Sequence, residues 1–171
     1  MTSDPSPQDS TPLSNPGGKN PDGEALVPIV AIGASAGGLD AFSELMRHLP
    51  DDTGMAFVLV QHLSPDHPSM LSDILSRSTA MPVQEVQDGM AVAPNHFYVI
   101  PPNCEMAMEA GRLRLRPRQR SQQGRHVIDT FFKSLAEERG NIAIGVVLSG
   151  ADADGTLGIR AIKGAGGITF A

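Results

Sequence analysis

The sequence predicts an α/β fold built on an open, mostly parallel sheet. Three continuous apolar runs, at residues 27–34, 54–62 and 141–150, are typical of strands that are covered on both faces. Each run leads into a segment whose apolar residues recur at the three- and four-residue spacing of a helix. Strands that alternate with helices in this way favour parallel pairing, with the helices packed against the sheet.

The segments that we interpret as helices have recognisable ends. Pro50 stops the first apolar pattern, and Gly140 is a C-cap residue for the third. In that third segment Val127, Phe131 and Leu135 recur at four-residue intervals, which places them on one face. We predict helices within residues 37–50, 64–78, 126–140 and 154–167, and a last strand that begins at residue 168.

The middle of the chain predicts a small β-hairpin insertion. Residues 89–102 have the composition of short strands. In residues 104–118 apolar and polar residues alternate on both sides of a turn at Ala110 and Gly111, which is the pattern of a hairpin.

The domain organisation follows from composition. Residues 1–25 are rich in Ser, Pro, Asp, Asn and Gly and have few apolar residues, so we expect a disordered tail. Residues 26–171 are long and apolar enough for one domain with a core. The last predicted strand has no helix after it, and we therefore expect the domain to be truncated at its C-terminus.

Composition narrows the classes of function. The formal net charge of −6 does not favour nucleic-acid binding. No apolar run approaches 18 residues, and the first residues lack the pattern of a signal peptide, so we predict no membrane insertion. The single cysteine, Cys104, fits a reducing cytoplasm. No His, Cys and carboxylate cluster has metal-ligand spacing, and we predict neither a metal nor a cofactor.

Three polar segments follow the three predicted buried strands. Ser35 follows the first strand, His62 the second, and the third is followed by Asp152 and Asp154. Because the carboxyl ends of parallel strands meet at one edge of a sheet, we expect a serine, a histidine and an aspartate to converge there. A histidine can take the proton of a serine hydroxyl, and an acid can orient the imidazole and stabilise its charged form.

The local sequence around Ser35 supports a nucleophile. Residues 33–37 match G-x-S-x-G, in which small residues allow a sharp turn from strand to helix. The backbone amide of Ala36 would lie at the start of the next helix, where it can stabilise an oxyanion. The chain order Ser, His, Asp differs from the Ser, Asp, His order of α/β-hydrolases.

Five blocks carry a resemblance to a known family: VAIGASAGG, VLVQH, HFYVIPP, IDTFFKSLAEERG and VVLSGADADGTLGIRAIKGAGG. In order and wording they resemble the catalytic domain of the chemotaxis protein-glutamate methylesterases, the CheB family. The IDTFF helix and the DGTLG wording are most similar to the form fused to a CheR-type methyltransferase. The resemblance implies a doubly wound, three-layer α/β/α fold.

The resemblance also implies a reaction and its residues. The family hydrolyses γ-glutamyl methyl esters on methyl-accepting receptors, releasing methanol, and some members deamidate receptor glutamines. By position, Ser35 is the nucleophile, His62 the general base and Asp154 the orienting acid, with oxyanion donors at the backbone of Ala36 and Ala151. The implied partner is a methylated receptor, and the similarity to the fused form implies a CheR-type methyltransferase domain in the same chain.

Two residues compete with these assignments. His67 lies five residues after His62 and is a rival base. Asp152 stands where the family has glycine and is a rival to Asp154, or an extra carboxylate near the site. The other histidines have plainer interpretations, with His48 and His126 on the exposed edges of helices and His96 in a loop.

Three further alternatives stay open. The arginines Arg112, Arg114 and Arg116 are either a solvated hairpin face or a docking surface for acidic receptor helices. The GASAGG turn is compatible with a phosphate loop, although it lacks G-x-G-x-x-G and a Walker lysine. The domain is also compatible with a receptor-docking or regulatory module of weak or no turnover.

Overall fold

The structure is a computed structural model that describes residues 25–34, 38–61, 71–118, 126–148 and 154–171. Nine strands and four α-helices lie within these residues. The strands are β1 (Ile29–Ala34), β2 (Ala56–Gln61), β3 (Val83–Glu85), β4 (Met90–Ala91), β5 (His96–Val99), β6 (Cys104–Glu109), β7 (Arg112–Pro117), β8 (Ala143–Leu148) and β9 (Ile168–Phe170). The helices are α1 (Leu39–His48), α2 (Leu71–Leu75), α3 (Val127–Arg139) and α4 (Thr156–Gly164).

The central sheet has six strands in the order β3-β5-β2-β1-β8-β9, and every pair is parallel. From β1 the chain first builds outward through β2 and its neighbours, and later returns to add β8 on the other side of β1. The strand order therefore reverses between β1 and β8. In open α/β sheets such a reversal leaves a crevice at the carboxyl ends of the two strands, and ligands bind there.

Helices cover both faces of this sheet, which confirms the predicted doubly wound α/β/α architecture. Successive side chains of a strand point to opposite faces. Ile29 and Ala31 of β1 belong to the core that contains Phe131 of α3 and Ile162 of α4. Val30 and Ile32 belong to the other core, with the apolar residues of α1 and α2: Phe42, Met46, Leu71 and Leu75.

A second sheet of three antiparallel strands, in the order β4-β7-β6, contains the predicted hairpin. Its two-residue turn has positive φ at both Ala110 (50°) and Gly111 (76°), as in the type I′ turns that suit hairpins. The sheet packs on α3, where the backbone N–H of Met108 donates to the hydroxyl of Ser134 at 2.9 Å. β4 extends the hairpin to three strands, so the insertion is larger than predicted.

Several local predictions need correction. His96 is the first residue of β5 and not a loop residue, and β5 pairs with β2 inside the main sheet. β8 is only partly covered, since Val146, Val147 and Leu148 are half-buried, although we predicted a strand buried on both faces. Among the described residues, no helix is both long and apolar enough to cross a bilayer.

Candidate functional site

Three neighbouring strands end side by side at the carboxyl edge of the sheet. Ala34, the last residue of β1, lies opposite Gln61 of β2 and Leu148 of β8. These are the last described residues before the three predicted polar segments. The segments thus leave adjacent strands at one edge, on both sides of the reversal between β1 and β8. The predicted side chains of Ser35 and His62 lie outside the described residues.

Of the other residues predicted at this edge, some lie outside the described residues and one is described. The oxyanion donors Ala36 and Ala151, and the rivals His67 and Asp152, also lie outside the described residues. Asp154 is described, and it is 6 % exposed.

The carboxylate of Asp154 caps helix α3. Its Oδ2 accepts the backbone N–H of Ile128 at 3.0 Å, and its Oδ1 accepts that of Asp129 at 2.9 Å. Both donors belong to the first turn of α3, where backbone N–H groups have no partner within the helix. The positive end of the helix dipole also stabilises a carboxylate. Asp154 is therefore held in one orientation, and backbone N–H groups stabilise its negative charge without cancelling it.

In the same way, the carboxylate of Asp129 caps helix α4. It is 2 % exposed, and its Oδ1 accepts the backbone N–H of Gly155 at 3.0 Å and that of Gly158 at 2.7 Å. Gly155 is the N-cap of α4 and has a φ of 99°, which favours glycine. The two helices therefore begin side by side, and each is capped by an aspartate of the other segment.

Two glycines bring the end of β1 close to this double cap. A Cβ at Gly33 would lie 2.6 Å from Cγ2 of Ile128, and one at Gly155 would lie 3.2 Å from the same atom. Real carbon contacts are longer than the first of these distances. Gly33, the first glycine of the G-x-S-x-G match, thus allows the strand that precedes Ser35 to touch the start of α3. The crevice and Asp154 are therefore close neighbours.

His126 lies at the opening of the cluster. Its Nδ1 is 3.8 Å from Oδ2 of Asp129 and 3.9 Å from Oδ1 of Asp154, and its side chain is 57 % exposed. The prediction of an exposed residue at a helix edge is confirmed, since His126 is the N-cap of α3. Its closeness to Asp154 was not predicted.

The role of Asp129 was not predicted from the sequence either. An acid in the first turn of a helix is common and points to no particular partner. The partners of Asp129 lie 26 and 29 residues after it in the chain, so no local pattern reveals the pairing.

Three potential metal ligands meet at this place, which corrects the expectation of no such cluster. One ligand atom from each of His126, Asp129 and Asp154 lies within 4.8 Å of the others. The expectation failed because it used spacing along the chain. However, the two carboxylates already accept four backbone N–H groups at two positive helix ends. A cation would compete with all of these, so the arrangement favours two anions held by the protein over a metal centre.

The candidate docking arginines lie on β7 with their side chains exposed. Each has a partner nearby. Arg112 donates to the carbonyl of Gly89 at 3.0 Å, Arg114 lies 3.6 Å from the carboxylate of Asp88, and Arg116 lies 2.6 Å from that of Glu109. These contacts neutralise part of the positive face and favour the solvated-hairpin interpretation. Docking by these arginines stays a prediction.

Comparisons with known proteins agree with this geometry. The model of the CheB methylesterase family matches residues 30–171. Protein-glutamate methylesterase/protein-glutamine glutaminase 2 of Xanthomonas oryzae is 35 % identical over 146 residues, which cover 83 % of this chain and 40 % of the relative. The enzyme of the corresponding name from Pectobacterium atrosepticum is 32 % identical over 147 residues, covering 84 % of this chain and 42 % of its own. The chain thus spans about two fifths of the length of these relatives.

A solved structure is also similar. The catalytic domain of Thermotoga maritima CheB methylesterase superimposes with a TM-score of 0.76 at 29 % identity. The superposition covers 84 % of this chain and 78 % of that one.

Proposed function

Because the chain belongs to the CheB methylesterase family, we propose that it hydrolyses γ-glutamyl methyl esters on methylated chemotaxis-type receptors and releases methanol. The observation that carries the proposal is the carboxylate of Asp154, which is buried and accepts two backbone hydrogen bonds. It lies close to the edge at which β1, β2 and β8 end. A triad needs an acid that stays ionised in a fixed orientation. The relatives' names also include a glutaminase, so deamidation of receptor glutamines is the second expected activity.

We assign the chemistry to the predicted residues as follows. The Oγ of Ser35 attacks the ester carbonyl while His62 takes the hydroxyl proton. The amides of Ala36 and Ala151 stabilise the resulting oxyanion. When the intermediate collapses, the C–O bond to methanol breaks and His62 returns the proton to the leaving oxygen. Water then hydrolyses the acyl-serine by the same route, which restores Ser35 and leaves an unmethylated glutamate side chain on the receptor.

In this mechanism Asp154 orients His62 and stabilises the imidazolium that forms in each step. The two bonds from α3 support this role, because they fix the carboxylate at the start of α3, which contacts the end of β1. The segment that contains His62 follows the neighbouring strand β2.

The remaining expectations are proposals of the same kind. We infer that residues 26–171 form the catalytic domain and that residues 1–25 precede it as a tail. Cytoplasmic action on a receptor follows from the substrate class. A CheR-type methyltransferase domain in the same protein, and docking by Arg112, Arg114 and Arg116, stay predictions.

The test is methanol release from a methylated receptor fragment. We expect the 171-residue chain to release methanol, Ser35→Ala to lose about 10⁶-fold in kcat, and Asp154→Asn to lose about 10⁴-fold. Ser76→Ala is the matched control, because this exposed serine lies just after α2 and donates to the carbonyl of Asp73 at 2.8 Å. Receptor binding without methanol release would instead favour a docking module, and unchanged release by Ser35→Ala would refute the nucleophile.

A further inference from the structure

We propose that Asp129 is a positioning residue that holds Asp154 in its working place through the start of helix α4. The proposal rests on the function proposed above, because it concerns the acid of that triad. Asp129 lies in the first turn of α3, beside Asp154, and is not one of the three predicted triad residues. Four hydrogen bonds between the two segments carry the inference.

Both the side chain of Asp154 and the peptide group that follows it bond to the first turn of α3. Its carboxylate accepts from Ile128 and Asp129, at 3.0 and 2.9 Å. Its backbone is held by the next peptide group, since the N–H of Gly155 donates to Oδ1 of Asp129 at 3.0 Å. The carboxylate of Asp129 therefore holds the peptide group that directly follows Asp154. Without it, the carboxylate of Asp154 would still bond to α3, but the peptide that follows Asp154 would lose its bond to α3.

Asp129 also contributes charge. Its carboxylate and that of Asp154 have oxygens within 4.8 Å of each other, and the group facing them both from the N-cap of α3 is His126. A second negative charge behind the triad acid favours the protonated form of a catalytic imidazole paired with that acid. Neutralising Asp129 should therefore move the acid limb of the pH profile of kcat/KM to lower pH, by a few tenths of a unit to about one unit.

A matched control exists in the same helix. The carboxylate of Glu138 also accepts two backbone N–H groups, from Ala110 at 2.8 Å and from Gly111 at 3.2 Å. These belong to the hairpin turn at the other end of α3. Glu138→Gln therefore makes the same carboxylate-to-amide change as Asp129→Asn, away from Asp154. It is the harsher exchange for local bonding, because the two N–H groups at Glu138 donate to different oxygens and the amide keeps only one of these acceptors.

The experiment compares four forms of the 171-residue chain: wild type, Asp129→Asn, Asp129→Ala and Glu138→Gln. An amide oxygen can still accept the two N–H groups, but bonds to a charged acceptor are about twice as strong. We expect Asp129→Asn to lower kcat about 3- to 10-fold with KM within twofold, and Asp129→Ala to lower it about 100-fold, as is typical for residues that support a site. Asp129→Asn should shift the acid limb, whereas Glu138→Gln should change neither kcat nor the profile.

Two further measurements keep the outcomes distinct. Thermal unfolding shows whether each variant is folded, and the rate at which a fluorophosphonate labels Ser35 reports the triad without a receptor. If Asp129→Ala does not fold, the pH profile and labelling rate of Asp129→Asn decide the question. Folded Asp129 variants with wild-type kcat, profile and labelling would overturn the proposal, and so would an equal loss in Glu138→Gln.

Failure of the proposed function looks different. If the wild type labels at Ser35 but releases no methanol, the proposed substrate is wrong, and the labelling rates of the variants still decide the role of Asp129. If the wild type neither labels nor releases methanol, both proposals fail.

Discussion

Gly158 is the residue at which the packing of α3 against α4 can be tested most directly. A Cβ added there would lie 2.4 Å from Cβ of Phe132 and 3.3 Å from Cα of Asp129. Both of these atoms are fixed by the backbone of α3, so no side-chain rotation relieves the overlap. The two helices would have to separate by roughly 1 Å to restore an ordinary carbon contact. This separation would stretch the 2.7 Å bond from the N–H of Gly158 to Asp129 beyond hydrogen-bonding distance.

The expected effect of Gly158→Ala follows from three contributions. Overpacking costs about 1–3 kcal/mol, and loss of a hydrogen bond to a charged group costs about 1.5–3 kcal/mol. Alanine gains about 1 kcal/mol over glycine within a helix. We therefore expect the free energy of unfolding to fall by about 1.5–5 kcal/mol, which lowers Tm by about 3–20 °C for a domain of this size. Methanol release should fall as well, since the start of α4 carries Asp154.

Gly164→Ala is the control on the same helix. No heavy atom lies within 4 Å of the Cβ it would add, and its φ is not positive. We expect this variant to gain up to about 1 kcal/mol from helix propensity alone. Urea unfolding followed by circular dichroism measures both variants under one set of conditions. If Gly158→Ala proves as stable as wild type, or shifts in the same direction as Gly164→Ala, the close contact between the helices is not what stabilises their arrangement.

Two other predictions concern single side chains. Burial and, to a lesser extent, the negative charge of Glu85 raise the pKa of the Cys104 thiol. Alkylation of Cys104 by iodoacetamide at pH 8 should therefore be slower than that of a free cysteine. It should be faster in Glu85→Gln than in the wild type. An unchanged rate in that variant would contradict the electrostatic part. The buried Tyr98 hydroxyl accepts the N–H of Ala93 at 2.9 Å, so Tyr98→Phe should destabilise by about 1–3 kcal/mol. Chemical denaturation measures this, and a loss near zero would show that water replaces the hydroxyl.

Local periodicity was enough to predict most of the fold. The strands β1, β2 and β8 are continuous apolar runs, and α1, α3 and α4 have apolar residues on one face, because each must bury a large apolar surface. The hairpin was predictable because the turn at Ala110 and Gly111 interrupts two alternating patterns. These signals lie within a few residues of one another, where sequence patterns are informative.

The remaining strands depend on contacts between distant segments. β3 has three residues, of which Gln84 and Glu85 are exposed, so it shows no apolar pattern. β5 has an apolar centre, but only its parallel register with β2 places it in the main sheet. β4 has two residues and is defined by pairing with β7 alone. Sequence patterns record burial but not the choice of a strand partner.

In the candidate site too, local patterns were predictable and contacts between distant segments were not. Its edge was predictable, because parallel strands present their carboxyl ends together, and the register of Ala34 with Gln61 and Leu148 confirms that the three segments leave adjacent strands. The acid at the end of the third strand was singled out, and Asp154 lies buried next to that edge. Its bonding to α3, and the reciprocal role of Asp129, could not be predicted, because each is a contact between helices formed from separate parts of the chain.

The double cap also bears on the alternative of a phosphate loop. The reversal between β1 and β8 would place a nucleotide in the same crevice as an ester, and the N-cap of α1 is Gly38, which has no side chain to oppose a phosphate. The difference lies in the neighbouring helices. The N-termini of α3 and α4 are already occupied by two buried carboxylates. Their negative charge repels a phosphate and attracts an imidazolium. The electrostatics of the described residues therefore favour a serine and histidine site over a nucleotide site.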